Sequence, residues 1–396
     1  MPFIKPEDTW LLWAFAVSWV AISIYLEGRF KWASMVSACA ISLLGAMVFA
    51  NIGIIPMASP VYDAINTFIL PTALPLLLFT ADIKRIIRET GQCFFAYHFA
   101  AIGTAVGVFI ACLIVPRIPE LHGVAAIATG CYTGGAVNMA AMADAFQVSA
   151  EVSSATMVGG NVIMALFMVI LMTIPKIEFF AKHFRHGIED NITSLNSNSL
   201  TTEEIASTKE GSTLTVLDIA IALGVALVIT AVSVRFCAWY SNTGWLFHSI
   251  LGQKYLVITT VTIILVSLFP KFFSKLKGVE IGTFMIYLFF FGIGTSASIM
   301  LIIQKSPMIF IFCIIAAFFN MIGTLGLGRL FNLRLEDLLI ASNATIGGPT
   351  TAPGMALAQG WHRLIVPGIL IGVYGYAVGN YISFTIGNLV LKIFGA

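Results

Sequence analysis

The chain has 396 residues, of which 59% are apolar and only 10% are charged. Soluble domains carry about 25% charged residues, so this composition excludes a soluble globular protein and predicts an integral membrane protein. The net charge of +2 and the lack of a basic patch give no indication of nucleic-acid binding.

Apolar runs of roughly twenty residues follow one another along the chain, which is the length of helices that cross a bilayer. Strands of a membrane barrel would instead alternate over about ten residues. We therefore predict an all-α polytopic membrane protein with spans at 10–26, 32–55, 62–81, 92–115, 152–174, 214–236, 255–269, 281–303, 308–328 and 364–391.

Two of these spans contain residues that break helices. Pro71 and Pro75 are predicted to interrupt the third span. The last span is long, and a break in it is favoured by Gly372, Gly375, Gly379 and Asn380.

A polar segment at 176–213 separates the apolar regions 1–175 and 214–396. It contains NITSLNSNSLTTEEIASTKEGS, a composition typical of a flexible linker. We interpret the chain as two halves joined by this linker, which the distribution of Lys and Arg places on the cytoplasmic side.

Each half also contains a segment that begins and ends as an apolar helix but has a glycine-rich centre. These are ATGCYTGGAVNMAAMADA at 128–145 and ASNATIGGPTTAPGMALA at 341–358. At an offset of 213 residues, the two regions share seven identities in 32 positions, where roughly three are expected by chance. Glycine-interrupted segments at matching places of two halves are the best sequence indication of a transporter's substrate site.

Each broken segment either crosses the membrane or enters and leaves on one side as a re-entrant hairpin. Hairpins at 124–147 and 338–360 leave five crossings in each half, which inverts the second half relative to the first. That topology puts 15 of the 21 Lys and Arg residues on one side, whereas the crossing alternative divides them almost evenly. We therefore predict two inverted repeats of five transmembrane helices, each with one glycine-rich hairpin.

A broken helix in a membrane exposes groups that can bind ions. A new helix N-terminus suits a carboxylate, and the carbonyls at a helix C-terminus suit a cation such as Na⁺. Hydroxyl and amide oxygens near the breaks are hard ligands, and we assign ion binding to Thr129, Asn161, Asn343, Thr345 and Thr351. In the alternative interpretation, the glycines only allow close packing and the hydroxyls make interhelical hydrogen bonds.

The sequence gives no indication of enzyme chemistry. It contains no Walker A motif, HExxH motif, nucleophile elbow or haem motif. None of the six cysteines forms a CxxC pair, so we expect neither a zinc site nor a disulfide framework, and no cofactor other than a coupling ion. No buried carboxylate pair is apparent in the spans, which favours Na⁺ over H⁺ as that ion.

At TGGAVNMAAMADA (133–145) and NATIGGPTTAPGMA (343–356), the chain resembles the membrane-protein family called domain of unknown function 819, which includes the YjcL-type proteins. The pattern is also similar to the glutamate:sodium, citrate:sodium and bile-acid symporter group. The resemblance implies re-entrant hairpins, a homodimer and an elevator-type movement. It implies substrate contacts at Thr133, Gly134, Gly135, Asn138, Gly347, Gly348, Pro349 and Thr350.

We therefore expect a secondary active transporter in the bacterial cytoplasmic membrane. By resemblance it is a Na⁺-coupled symporter of a small carboxylated solute, such as an amino acid, a short peptide or an organic acid. The alternatives are an H⁺-coupled carrier, a channel, and a non-transporting receptor or scaffold.

Overall fold

The computed structural model describes residues 2–30, 33, 38–186, 215–241, 252–296 and 299–395. Within these ranges the secondary structure is helical, apart from one isolated β-bridge between Arg185 and Arg334. Seven described helices are long and apolar enough to span a membrane, and three more are apolar but shorter. The all-helical membrane fold is thus confirmed, while residues 187–213 of the predicted linker lie outside the described ranges.

The described residues of the first half form nine α-helical segments. They are α1 Thr9–Arg29, α2 Ala38–Asn51, α3 Pro60–Leu78, α4 Ile83–Glu89, α5 Gln92–Ile114, α6 Leu121–Gly134, α7 Ala136–Ala145, α8 Ala150–Thr173 and α9 Glu178–His183. The predicted interruption of the third span is wrong, because α3 continues through Pro71 and Pro75. A π-helical turn at Ile65–Ile69 directly precedes these prolines and adjusts the backbone there.

In the described part of the second half there are seven α-helical segments. They are α10 Val216–Ser241, α11 Lys254–Leu268, α12 Pro270–Phe273, α13 Val279–Thr295, α14 Ile299–Leu330, α15 Leu335–Ala358 and α16 Ile365–Phe394. The predicted span at 281–303 is divided between two of them, since α13 ends at Thr295 and α14 begins at Ile299. The sequence at this junction is Gly-Thr-Ser-Ala-Ser at 294–298, which contains no charged residue to end the predicted span.

The predicted break in the last span is also wrong, because α16 is one continuous helix. Its glycines are places of close approach. A Cβ on Gly372 would overlap the backbone of Pro349, and a Cβ on Gly375 would lie 2.8 Å from the carbonyl oxygen of Thr133. The glycines therefore let both broken segments pack directly against the α16 backbone.

The first broken segment folds back on itself. The backbone N–H of Ser149 donates to Glu120 Oε2 over 2.8 Å, and Gly123 packs against Val148. The two ends of the segment therefore meet, and α6 and α7 form a helical hairpin, called hairpin 1 here, with its tip at Gly135.

The second broken segment does the same. α15 has a non-helical residue at Gly348, and the Thr351 hydroxyl donates to Asn343 Oδ1 over 2.6 Å. In a straight helix, residues eight positions apart are separated by about 12 Å. An ion pair of 3.0 Å between Asp337 and Arg363 closes the base of this second hairpin, hairpin 2.

Helix α16 shows how the two hairpins face each other. Along α16, Gly368 contacts Ile340 and Ala352 of hairpin 2, and Gly372 contacts its tip. Further along, Gly375 contacts the tip of hairpin 1, and the later Gly387 contacts Ala126 and Phe146 in its arms. The hairpins therefore approach from opposite ends of α16 and meet near its middle.

The helices form two groups. The hairpin bundle consists of α5–α8 and α14–α16, in which α5 packs mainly on α14 and α16 packs on both hairpins. The flanking bundle consists of α1–α3 and α10–α13, in which α13 packs mainly on α2 and α3. Contacts between the two bundles are sparser than contacts within either of them.

The packing of α16 predicts a large difference between two glycine-to-alanine changes. Gly372→Ala should lower the free energy of unfolding by about 1–3 kcal/mol, because the added methyl overlaps the backbone of Pro349. The control is Gly326→Ala in α14, where no atom lies within 4 Å of the new Cβ. Thermal unfolding in detergent should show a lower Tm only for Gly372→Ala, and equal Tm values would contradict the contact.

Candidate functional site

The tips of the two hairpins touch each other. Gly135 has φ 72° and ψ −158°, and Gly348, 213 residues later, has φ 74° and ψ −163°. A Cβ on Gly135 would lie 3.5 Å from the Ile346 carbonyl oxygen and 3.9 Å from the Gly348 nitrogen. Only glycine adopts this backbone region readily. The two hairpins therefore turn in the same way, at Gly135 and at Gly348, where their tips meet.

Each tip is followed by a new helix N-terminus. The first hydrogen bond of α7 runs from the Met139 N–H to the Gly135 carbonyl. The N–H groups of Ala136 and Val137 therefore lie at the free, partially positive end of a helix. In hairpin 2 the corresponding arm starts at Pro349, and proline fits the first helical position because it has no N–H.

A cavity of about 620 Å³ lies against both N-termini. Hairpin 1 lines it with Ala136 and Val137, and hairpin 2 lines it with Thr350 and Thr351. The volume is that of a small-molecule site. Two partially positive helix ends on one cavity favour a carboxylate or another small anion.

The remaining walls come from both bundles. Helix α8 contributes Asn161, Met164, Met168 and Met172, whose spacing of three and four residues places them on one face of the helix. The flanking bundle supplies groups from several helices, namely Glu27, Cys39, Leu77, Thr283, Ile286 and Tyr287. The cavity therefore lies between the hairpin bundle and the flanking bundle.

The structure brings part of the predicted site together at this cavity. The predicted residues that line it are Asn161, Asn343, Gly347, Thr350 and Thr351. Gly135, Gly348 and Pro349 form the backbone of the two tips beside it. Tyr376 of α16 was not predicted, and its hydroxyl lies 3.2 Å from the position of a Cβ on Gly348.

The other predicted residues lie behind the tips. Thr129, Thr133, Gly134, Asn138 and Thr345 are buried and do not line the cavity. The Thr133 hydroxyl donates to the Thr129 carbonyl over 2.7 Å, and Asn138 Nδ2 donates to the Gly375 carbonyl over 3.1 Å. These side chains hold the tips in place against α6 and α16.

Asn320 of α14 is a central polar residue that the sequence reasoning missed. Its Nδ2 lies 3.2 Å from the Tyr132 carbonyl of hairpin 1 and 3.1 Å from the Thr345 hydroxyl of hairpin 2. Its Oδ1 accepts from the Ser342 hydroxyl over 2.9 Å. An amide in the middle of an apolar span is the signal that could have identified it.

Glu27 is the second missed residue. The predicted first span ended at residue 26, yet α1 continues to Arg29 and Glu27 lines the cavity from its last turn. Of the described residues around the cavity, Glu27 is the one with a charged side chain. A carboxylate in the last turn of an apolar run is the signal that could have found it.

Two comparisons with known proteins agree with each other. The profile of a family described as "Protein of unknown function (DUF819)" matches residues 14–393. The chain is also 40% identical over 389 residues to the uncharacterized membrane protein YjcL of Bacillus subtilis (strain 168). That alignment covers 97% of this chain and 98% of the relative.

The cavity geometry predicts which introduced thiols react. Thr350→Cys and Gly354→Cys should be modified quickly by a small maleimide, because both positions are exposed and line the cavity. Asn138→Cys is the matched control, since Asn138 is fully buried. All six native cysteines are buried, but Cys39 and Cys131 line the same cavity, so the labelling of the parent chain is subtracted as background. Equal labelling rates at the three positions would show that the cavity is misplaced.

The backbone of the tips predicts a second difference. Gly135→Ala and Gly348→Ala should each lower the free energy of unfolding by about 1–3 kcal/mol, because alanine is strained at these angles. Gly354→Ala in the same hairpin is the control, since it has open space and no positive φ. Chemical or thermal denaturation of the three variants compares them, and a Gly354→Ala loss as large as the others would refute the explanation.

Proposed function

Since the chain belongs to the membrane-protein family described as "Protein of unknown function (DUF819)", we propose that it is a secondary active transporter of a small carboxylated solute. The solute is an amino acid, a short peptide or an organic acid, and Na⁺ is the coupling ion. The observation that carries this proposal is the convergence of two helix N-termini, from opposing hairpins, on one cavity.

The two-sided approach of the hairpins supports inverted repeats. Gly135 and Gly348 have nearly the same backbone angles, and α16 contacts hairpin 2 before hairpin 1. Two copies of one unit in opposite orientations would produce this arrangement. In the proposed topology, hairpin 1 enters from outside and hairpin 2 enters from the cytoplasm.

The position of the cavity supports an elevator-type movement. It lies between the hairpin bundle, which carries both tips, and the flanking bundle. Glu27 and Met172 both line it, and each lies near the C-terminal end of its helix. In the proposed topology these ends are cytoplasmic, so this conformation faces inward. A sliding of one bundle along the other would carry the tips to the outer side.

Buried oxygens near the tips support Na⁺ coupling. Asn138 Oδ1 and Asn380 Oδ1 are buried and have no hydrogen-bond partner among the described residues. Such oxygens are hard ligands, and the predicted ion ligands Thr129 and Thr345 lie in the same bundle. H⁺ coupling is the second candidate, because the Glu27 carboxylate lines the cavity and could carry a proton.

The wider resemblance leads us to propose a homodimer in the bacterial cytoplasmic membrane as the working unit. The flanking bundle would then form the dimer contact, because the hairpin bundle must be free to move.

Uptake into proteoliposomes tests the transport function. The purified chain should accumulate at least one member of a labelled panel of amino acids, dipeptides and dicarboxylates when an inward Na⁺ gradient is imposed. Accumulation with a proton gradient alone would establish H⁺ coupling instead. Solute that equilibrates but never concentrates would indicate a channel, and no flux of any panel member would refute the transporter.

A variant pair tests the site. Thr351→Val removes the hydroxyl that donates to Asn343 in the cavity wall, so initial uptake should fall by about tenfold, which corresponds to about 1.4 kcal/mol. Thr173→Val is the matched control, because that exposed hydroxyl donates to the Val169 carbonyl of its own helix. Equal uptake by the two variants would show that hairpin 2 does not line the transport site.

A further inference from the structure

The cavity contains a negative charge that a site for a plain organic acid does not explain. Glu27 is half-buried and lines the same space as the two partially positive helix ends. An unpaired carboxylate next to a bound carboxylate would weaken its binding. A charge inside a membrane protein is expensive to maintain, so its presence on a solute cavity indicates a function.

The neighbours of Glu27 connect it to the opposite wall of the cavity. Its carboxylate lies close to the backbone N–H of Ala38, at the start of the described part of α2. The next residue, Cys39, lies against Asn161, with Sγ 3.8 Å from Oδ1. Asn161 and Cys39 both line the cavity. A short chain of contacts therefore connects Glu27 to the wall facing the hairpin tips.

The proximity of the Ala38 N–H leaves Glu27 with further acceptor capacity. An ionised carboxylate has about four lone-pair sites, and a single backbone N–H occupies one of them. The other groups lining the cavity are neutral in the described part of the chain, including the hydroxyl of Tyr287. No described lining group carries a positive charge, so a cationic group on a solute would complement Glu27.

We propose that Glu27 is a binding residue for the ammonium group of the solute, and that the transported molecule is therefore a zwitterion. Its carboxylate lies at the helix ends after Gly135 and Gly348, and its ammonium group lies at Glu27. This deepens the proposed function, on which it rests, by selecting amino acids and short peptides over organic acids.

The methionine face of α8 indicates what the rest of the solute is. Met164, Met168 and Met172 form a continuous apolar wall, and Met139 and Met355 face the same space from the two hairpins. Methionine side chains are flexible and polarizable, so they adapt to apolar groups of different shapes. The solute thus has an apolar side chain, and the wall accepts several of them.

Glu27 belongs to the flanking bundle, whereas the helix ends belong to the hairpin bundle. The two charged ends of the solute are therefore bound by different bundles. When the bundles move relative to each other, the ammonium contact is broken while the carboxylate contacts can persist. Glu27 thus acts on the inward-facing side only.

The charge at Glu27 can be measured without any transport. In the Thr350→Cys background, the rate of reaction with a cationic trimethylammonium-ethyl methanethiosulfonate is compared with that of the anionic sulfonato-ethyl reagent. Glu27→Gln should lower the cation-to-anion rate ratio by at least about threefold, because it removes the field of one charge. Glutamine has nearly the same size and keeps an acceptor oxygen towards the Ala38 N–H, so the fold should be retained. An unchanged ratio overturns the proposal.

Protection of the same thiol tests the solute class. Leucine or leucyl-leucine should slow the labelling of Thr350→Cys at concentrations at least about tenfold lower than isocaproate, which lacks the ammonium group. Glu27→Gln should abolish that preference and leave protection by isocaproate unchanged. Glu27→Asp should restore part of it. Equal protection by all three probes in the native background overturns the proposal.

The matched control is Glu178→Gln, which removes an exposed carboxylate paired with Lys182 in the described surface helix α9. It should change neither the rate ratio nor the preference. If Glu27→Gln lowers the rate ratio and the preference but no solute is taken up, the subsite stands and transport fails. If uptake is retained but Glu27→Gln changes protection by all three probes equally, the subsite is refuted and transport stands. The same holds if Glu27→Gln changes only the pH dependence of uptake.

Discussion

The structure depends on one constraint, which is that broken backbone inside an apolar fold must find hydrogen-bond partners. At the end of α6, the Thr133 carbonyl accepts from the Tyr97 hydroxyl over 2.8 Å, and the Tyr132 carbonyl accepts from Asn320. The glycines of α16 bring a continuous helix close enough to cover both tips. Carbonyls at the break are thus satisfied by protein, while the first residues of the helix after the turn line a cavity.

This asymmetry gives the cavity its chemistry. Helix ends supply partial positive charge without a cationic side chain, which agrees with the absence of Lys and Arg from the described lining. Glu27 supplies the opposite charge from a different helix bundle. In the transporter proposed above, the two poles of the solute site lie on two bundles, so solute binding would be coupled to the relative position of those bundles.

Much of this could be predicted from residue patterns, because the signals are local. Apolar runs mark helices, and the Gly-Gly pairs mark the breaks at Gly135 and Gly348. Three features depended on neighbours distant in sequence. The glycines of α16 suggested a break but serve close packing, Glu27 lay one residue beyond the predicted first span, and Asn320 was hidden in an apolar run. A glycine that breaks a helix and one that lets another chain approach are identical in a sequence.

The sequence by itself determined that the chain is a helical membrane protein, that two segments break at matching glycines, and that a polar stretch separates two halves. These follow from hydropathy and backbone sterics, which act over a few residues. Only the tertiary structure decided that the two tips touch, that Thr133 and Asn138 support them from behind, and that Glu27 shares their cavity. Those facts depend on which helices pack together, and a hydrogen bond or an electric field acts between neighbours in space whatever their distance along the chain.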